Sequence, residues 1–180
     1  MADSNTSLTL HGVFMDVMHV GVLLIGDSGI GKSETALGLI NYGHGLVADD
    51  AIQFDVVNNK VVGSCPPMLR DFLEVRGLGI INIRKMFGGH AITKKKRLEL
   101  IVKMISVDND SLRDIDRLHG VHRQCDILGH NIPEVTIPVA PGRNLAILVE
   151  AAVRNQLLKD SGYDATAELM GRQRNLSENG

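Results

Sequence analysis

The sequence predicts an α/β fold in which a mixed β-sheet is flanked by helices, and three segments carry that prediction. Residues 19–26 form a short, nearly all-apolar run that ends in glycine, which is typical of a strand buried on both faces of a parallel sheet. Residues 144–159 place apolar side chains at helical spacing. Residues 52–57 and 60–63 flank Asn58-Asn59, which predicts a hairpin. Strands that alternate with helices, together with a hairpin insertion, indicate a mixed sheet.

The first half of the chain predicts three further elements. Residues 8–18 mix apolar and polar side chains and are expected to form a pair of strands. Residues 32–41 predict a helix that Gly43 stops. Residues 45–48 predict a second short strand, which ends at Asp49-Asp50.

The second half is less regular. Residues 72–82 contain two glycines and are interpreted as more loop than element, and residues 119–125 are also interpreted as a loop. Residues 98–107 and 135–139 predict strands, and the tail from residue 163 to residue 180 is weakly specified. Because no repeat, linker or change of composition divides the chain, residues 1–180 are interpreted as a single domain.

Composition narrows the classes of function. The chain has 19 Lys and Arg against 21 Asp and Glu, for a net charge of −2, and only 3% of its residues are aromatic. Proteins that bind nucleic acid usually carry a basic excess, and those that bind single strands also use stacking aromatic rings. We therefore expect no nucleic-acid partner. The 19 glycines are the unusual feature of the composition.

Cysteine content and the absence of targeting patterns favour the cytoplasm. Two cysteines, Cys65 and Cys125, are too few for a disulfide framework and are interpreted as reduced thiols. No run approaches the roughly 18 apolar residues of a membrane span, and the first seven residues lack the basic region of a signal peptide. We expect a cytoplasmic protein without a membrane partner.

A phosphate-binding motif follows the apolar run. Its sequence matches G-x-x-x-x-G-K-[ST] at every fixed position, and glycines in such a loop let successive backbone N–H groups converge on phosphate oxygens. In this motif Lys32 is expected to reach the β- and γ-phosphates, and the Ser33 hydroxyl to bind Mg²⁺. The N-terminus of the predicted helix adds its positive dipole. The expected nucleotide-binding residues are Gly26, Asp27, Ser28, Gly29, Ile30, Gly31, Lys32 and Ser33.

An acidic pair supplies the chemistry that a nucleotide site alone lacks. Asp49 and Asp50 follow the second predicted strand, where one carboxylate could orient Mg²⁺ while the other accepts a proton from an attacking hydroxyl. A GTPase would carry an N-K-x-D motif, and the one Asn-Lys pair, at residues 59–60, lacks the aspartate. The residues therefore favour phosphoryl transfer to a hydroxyl group over hydrolysis of GTP.

With these residues assembled, the chain resembles the HPr kinase/phosphorylase family. Five blocks carry the resemblance: HGVFMDV at residues 11–17, GDSGIGKSETAL at 26–37, LVADD at 46–50, LEVRGLGIIN at 73–82 and PVAPGRN at 138–144. LEVRGLGIIN is the most specific block. The resemblance implies the P-loop fold of the HPr kinase and phosphoenolpyruvate carboxykinase type.

The resemblance also implies residue roles. Catalytic roles fall to His11, Lys32, Asp49, Asp50 and Arg117, and Mg²⁺ is bound by Ser33 and Glu74. The aspartate acts as base towards the seryl hydroxyl, and Asp50 is favoured over Asp49 for that role. The cations near the migrating phosphate are Lys32 and Arg117, with Arg76 and Arg143 as further candidates.

The implied activity is ATP-dependent phosphorylation of a seryl residue of the phosphocarrier protein HPr, with pyrophosphate as an alternative donor. The reverse reaction transfers the phosphoryl group from phosphoseryl-HPr to inorganic phosphate and releases pyrophosphate. The resemblance further implies a role in regulating carbon metabolism and a homo-oligomer, namely a hexamer. In this family a further N-terminal domain usually precedes such a catalytic domain, and this sequence contains none. Ala140 stands where relatives commonly carry Lys or Arg, a departure that bears on the phosphorylase reaction more than on the kinase reaction.

Two alternatives remain open from the residues themselves. A P-loop kinase that acts on the hydroxyl of a small metabolite needs the same phosphate loop and acidic pair. A non-catalytic nucleotide-sensing module needs the loop alone.

Overall fold

The computed structural model describes residues 7–107 and 120–178. Within these residues, seven strands form one mixed sheet and two more form a small separate hairpin. The strands are β1 Ser7–Val17, β2 Val20–Ile25, β3 Gly45–Val57, β4 Lys60–Ser64, β5 Phe72–Val75, β6 Gly79–Asn82, β7 Lys95–Ser106, β8 Val121–Ile127 and β9 His130–Val139. The helices are α1 Lys32–Asn41, α2 Ile83–Phe87, α3 Leu145–Asp160 and α4 Ala165–Glu178. None of the helices in the described ranges is long and apolar enough to cross a membrane.

The main sheet closes on itself. Its order is β2-β1-β3-β4-β7-β9-β8, and β2 also pairs in parallel with β7, so that five of the strands form a ring. The strands alternate their apolar side chains between the two sides of this ring. On β1, for example, Phe14 belongs to the inner cluster while Val13 and Met15 belong to the outer one, against which α1 and α3 pack. The predicted mixed sheet with flanking helices is confirmed.

The inner core explains one glycine of β4. The rings of Phe14 and Phe54 meet edge to face inside the ring, with centroids 5.2 Å apart. A Cβ on Gly63 would lie 2.5 Å from the Phe14 ring and 2.6 Å from the Phe54 ring. Glycine at this position therefore lets β4 lie directly over the aromatic pair.

Several sequence-based element assignments were right and others were wrong. The helix over residues 32–41 and the hairpin around Asn58-Asn59 are confirmed. The predicted strand pair at residues 8–18 is instead one strand, β1, with Gly12 inside it. β8 covers residues 121–127 and so includes most of the segment 119–125 that was interpreted as loop, and α4 occupies most of the weakly specified tail.

The prediction that a strand ends at Asp49-Asp50 was wrong. β3 continues for 13 residues through the pair to Val57, and β1 pairs with it from Asp55 back to Gly45. Ile52 and Phe54, which follow the pair, are fully buried in the inner core. Their burial keeps β3 in the sheet beyond Asp50. Asp50 itself has φ 66°, so the backbone bends locally at the acidic pair without leaving the sheet.

Candidate active site

The phosphate loop lies where β2 passes into α1. Gly26, Gly29 and Gly31 have φ values of 149°, 80° and 103°, which side chains with a Cβ rarely adopt. A Cβ on Gly26 would also lie 2.5 Å from the carbonyl oxygen of Met104 on β7. The loop is therefore packed directly against the neighbouring parallel strand, and its first glycine is required both by conformation and by space.

Lys32 is turned back over this loop. Its Nζ donates hydrogen bonds to the carbonyl oxygens of Gly26, at 2.6 Å, and Asp27, at 2.9 Å. Lys32 is also the first residue of α1, whose first N–H groups have no partners within the helix and whose dipole favours anions. The ammonium group and the helix end thus provide positive charge at one place, which suits an oxyanion.

The acidic pair lies on β3 and lines the same cleft as the phosphate loop. Asp49 lies opposite Val13 in the sheet, and Val13 in turn lies opposite Leu24 of β2, so the pair is two strands away from the start of the phosphate loop. Asp49 is half-buried, and its Oδ2 accepts a hydrogen bond from the Glu74 backbone N–H at 2.9 Å. Asp50 is exposed, and its Oδ1 lies 3.5 Å from Nδ1 of His11. One carboxylate is therefore fixed in place and the other is open to an incoming group.

Burial distinguishes the two carboxylates electrostatically. It raises the pKa of the Asp49 carboxyl above its ordinary value, because the charged form loses contact with water. Hydrogen bonds from the backbone N–H groups of Glu74 and Asp50 lower the pKa, whereas the negative charges of Asp50 and Glu74 raise it further. The net direction is upward, so the environment of Asp49 favours a bound proton or a nearby cation.

The β5–β6 hairpin delivers the remaining side chains. Leu73 and Val75 are buried in the outer core, so the alternation of the strand turns Glu74 and Arg76 away from that core, and both line the cleft. A Cβ on Gly29 would lie 2.9 Å from a terminal nitrogen of the Arg76 guanidinium, which rests against the phosphate loop.

A bidentate ion pair closes the base of this hairpin. Arg84 Nε donates to Asp71 Oδ2 at 2.6 Å, and Arg84 Nη2 donates to Asp71 Oδ1 at 3.2 Å. The backbone N–H of Ile83 also donates to the carbonyl oxygen of Asp71, at 2.8 Å. The interpretation of residues 72–82 as mostly loop was therefore wrong. The alternation of apolar Leu73 and Val75 with charged Glu74 and Arg76 was the signal for a strand.

These elements enclose one cleft of about 390 Å³. It is lined by His11, Gly12, Val13, Gly26, Ser28, Gly29, Gly31, Lys32, Ser33, Glu34, Asp49, Asp50, Glu74 and Arg76. The cleft thus brings together nearly all the candidate residues from distant parts of the sequence.

Three candidates among the described residues stand apart from the cleft lining. Ile30 packs against the outer core, and Asp27 takes part through its carbonyl oxygen. Arg143 donates to the Pro138 carbonyl oxygen at 3.0 Å and lines a neighbouring groove instead. Arg117 lies outside the described residues.

Oxygen donors in the cleft fit a magnesium ion. The Ser33 hydroxyl and the Glu74 carboxylate line it together, and Mg²⁺ in nucleotide sites is typically bound by one or two carboxylates plus substrate phosphates. Across residues 7–107 and 120–178, no group of three or more His, Cys, Asp or Glu side chains could hold a metal ion. Ser33 and Glu74 could supply two oxygen ligands to a metal whose other ligands come from a bound phosphate and from water.

Known proteins of one family resemble this chain over most of its length. The family model described as HPr Serine kinase C-terminal domain matches residues 3–173. The chain is 51% identical over 171 residues to the HPr kinase/phosphorylase of Chromobacterium violaceum, covering 94% of this chain and 54% of that relative. It is 53% identical over 171 residues to the same-named protein of Neisseria meningitidis, covering 94% and 53%. The chain thus spans about half the length of the curated relatives it matches.

A solved structure is also similar. The Hpr(Ser) kinase/phosphatase from Coxiella burnetii superposes with a TM-score of 0.79 at 36% sequence identity. The match covers 90% of this chain and 98% of the other.

Proposed function

This chain belongs to the HPr serine kinase C-terminal domain family, and from that premise we propose that it is an ATP-dependent protein-serine kinase that phosphorylates HPr. Pyrophosphate is proposed as an alternative donor. The reverse reaction, phosphorolysis of phosphoseryl-HPr, is proposed for the same site. The observation that carries the proposal is the cleft, in which the phosphate loop faces the Asp49–Asp50 pair and His11.

In the forward reaction the seryl oxygen of HPr attacks the γ-phosphorus of ATP. The bond between that phosphorus and the oxygen bridging it to the β-phosphate breaks, and ADP leaves. The seryl proton passes to Asp50, which is exposed to an incoming hydroxyl. Lys32 supplies positive charge to the phosphates, and Arg76 and Arg117 are the proposed further cations.

The acidic pair has a divided role in this proposal. Asp49 is held by the Glu74 N–H at 2.9 Å and is half-buried, so it suits orientation of the site. Asp50 is 77% exposed and lies beside His11, so it suits proton exchange with a substrate. Ser33 and Glu74 would hold Mg²⁺, which when bound neutralises phosphate charge.

In the reverse reaction an oxygen of inorganic phosphate attacks the phosphorus of phosphoseryl-HPr. The bond between phosphorus and the seryl oxygen breaks, Asp50 returns a proton to that oxygen, and pyrophosphate forms. Ala140 leaves one cation fewer in the 138–144 block, so we expect phosphorolysis to be slower relative to the kinase reaction than in relatives with Lys or Arg there.

The proposed setting follows from the same premise. We propose a cytoplasmic enzyme that works as a hexamer in the regulation of carbon metabolism, with residues 1–180 as its catalytic domain. Nucleic acid and membranes have no part in this proposal.

Incubation of the full chain with a purified HPr, Mg²⁺ and ATP tests the proposal. We expect HPr to gain the mass of one phosphoryl group on a serine, and excess inorganic phosphate to reverse that gain with release of pyrophosphate. Lys32→Ala and Asp50→Asn are expected to abolish transfer, whereas Arg172→Gln, on the exposed face of α4, serves as the matched control.

Absence of transfer to HPr from both ATP and pyrophosphate would refute the proposal. Transfer to a small hydroxyl compound instead would point to a metabolite kinase. Nucleotide binding that is lost in Lys32→Ala, with no transfer to any acceptor, would point to a sensing module.

A further inference from the structure

A second cavity adjoins the phosphate cleft. It has a volume of about 290 Å³ and lies between α1 and the N-terminal end of α3. Gly31 and Glu34 line both cavities, so the groove begins at the first turn of α1, where the cleft ends. The two cavities are therefore neighbours along one path around the start of that helix.

The position of the acidic pair gives this path a direction. Asp49, Asp50 and His11 line the cleft and not the groove, so the phosphoryl group to be transferred belongs at the cleft end. The phosphate loop holds the β- and γ-phosphates of a nucleotide. What remains of a nucleoside triphosphate must leave the loop on another side, and the groove that starts at Glu34 offers such an exit.

The groove has a length that suits this role. It extends along α1 from Glu34 to Tyr42, eight residues, which is about 12 Å at a rise of 1.5 Å per residue. Its other wall is formed by Arg143, Asn144, Leu145 and Ala146, which lie just beyond the end of β9 at Val139.

The side chains of the groove suit a ribose and a base. Tyr42 supplies the aromatic ring of the groove, and the residue is 45% exposed. Its hydroxyl accepts a hydrogen bond from Asn144 Nδ2 at 3.1 Å, and Asn144 Oδ1 accepts from the Ile147 N–H at the start of α3. The ring is thus tied to both helices. Glu34, at the inner end, offers a carboxylate of the kind that accepts hydrogen bonds from ribose hydroxyls.

We propose that this groove binds the nucleoside of the phosphoryl donor, with the base stacked on the ring of Tyr42 and the ribose beside Glu34. The proposal rests on the proposed use of ATP, and it assigns Tyr42 to substrate binding. Inorganic pyrophosphate and tripolyphosphate, which have no nucleoside, occupy the cleft alone.

The test compares two ligands that differ only in the nucleoside. The dissociation constants of ATP and of inorganic tripolyphosphate are measured by titration calorimetry, at equal Mg²⁺, for the wild-type chain and Tyr42→Ala. Because the variant loses the ring on which the base stacks, we expect ATP to bind about tenfold more weakly to it. Tripolyphosphate is expected to bind within about twofold of wild type.

Tyr163→Ala is the matched control, because Tyr163 is 43% exposed and hydrogen-bonds to Glu168 at the start of α4. It is expected to change neither dissociation constant. Equal weakening of both ligands by Tyr42→Ala, or no weakening of either, would overturn the groove assignment.

Photolabelling of the wild-type chain with 8-azido-ATP needs no variant. We expect the labelled peptide to contain Tyr42 or residues 143–146, and a label confined to other peptides would overturn the assignment. If HPr is phosphorylated while these results fail, the kinase proposal stands and the groove assignment alone is lost. If wild type binds neither ATP nor tripolyphosphate, both proposals are lost.

Discussion

Replacement of Gly26 by alanine tests whether the phosphate loop depends on its packing against β7. The ideal Cβ would lie 2.5 Å from the carbonyl oxygen of Met104, with Ile30 Cγ2 at 3.2 Å and Met104 Cβ at 3.3 Å. An ordinary carbon–oxygen contact is about 3.4 Å, so the loop or the strand must shift by about 0.9 Å. The obstacle is backbone in the middle of a sheet rather than the end of a flexible side chain.

Two costs add at this position. A φ of 149° strains any residue with a Cβ by about 1–3 kcal/mol, and overpacking against fixed neighbours costs about another 1–3 kcal/mol. We therefore expect Gly26→Ala to lower the free energy of unfolding by at least about 2 kcal/mol. The strained loop should also bind phosphate poorly, because its N–H groups no longer converge, and a loss of about 2 kcal/mol there corresponds to a roughly thirtyfold weaker dissociation constant.

Urea unfolding and calorimetric titration with inorganic pyrophosphate measure the two effects separately. Gly171→Ala is the matched control, because a Cβ there meets nothing within 4 Å and its helix favours alanine over glycine. An unfolding free energy of Gly26→Ala within about 0.5 kcal/mol of wild type, together with unchanged pyrophosphate binding, would refute the reasoning.

Two further predictions concern the acidic side of the cleft. Asp49→Asn is expected to raise the urea midpoint at pH 7, because a folded-state pKa above the unfolded value destabilises the charged wild type. The difference in urea midpoint between variant and wild type should become smaller as the pH falls, because Asp49 then takes up its proton. A variant that is less stable than wild type at pH 7 would contradict this prediction. Arg84→Gln breaks the bidentate pair with Asp71, and the loosened hairpin should raise the Mg²⁺ concentration needed for half-maximal ATP binding by about tenfold. Arg172→Gln removes an exposed pair within α4 and should leave that Mg²⁺ titration unchanged, so an equal response of both variants would contradict the role of the hairpin.

The helix and the phosphate loop could be predicted because their signals are local. The motif at residues 26–33 prescribes its own backbone, since three glycines adopt positive φ and the helix begins at Lys32. The sequence signals for the helix over residues 32–41, its apolar spacing and the glycine that stops it, also lie within a few turns of the chain. The structure confirms the helix and the glycine turn before it, and phosphate binding by that turn stays a prediction.

The errors in element assignment came from pairings between distant strands. The strand through Asp49-Asp50 was predicted to end, because two adjacent acids resemble a turn. Its continuation depends on Ile52 and Phe54 entering a core that β1 and β4 complete. The β5–β6 hairpin was interpreted as loop for a similar reason: the burial of Leu73 and Val75, and the Asp71–Arg84 pair, hold it in place despite its glycines.

The sequence by itself predicted the parts of the candidate site: a glycine-rich loop, an acidic pair and the blocks that mark the family, in which many of the glycines lie. Only the tertiary structure decided how these parts face one another. Pairing of β1 with both β2 and β3 sets the acidic pair two strands from the loop, and the β5–β6 hairpin brings the Glu74 backbone N–H within 2.9 Å of Asp49 Oδ2. Residues 25 positions apart meet there because the register of strands is a property of the whole sheet, whereas the residues of a loop motif are neighbours along the chain.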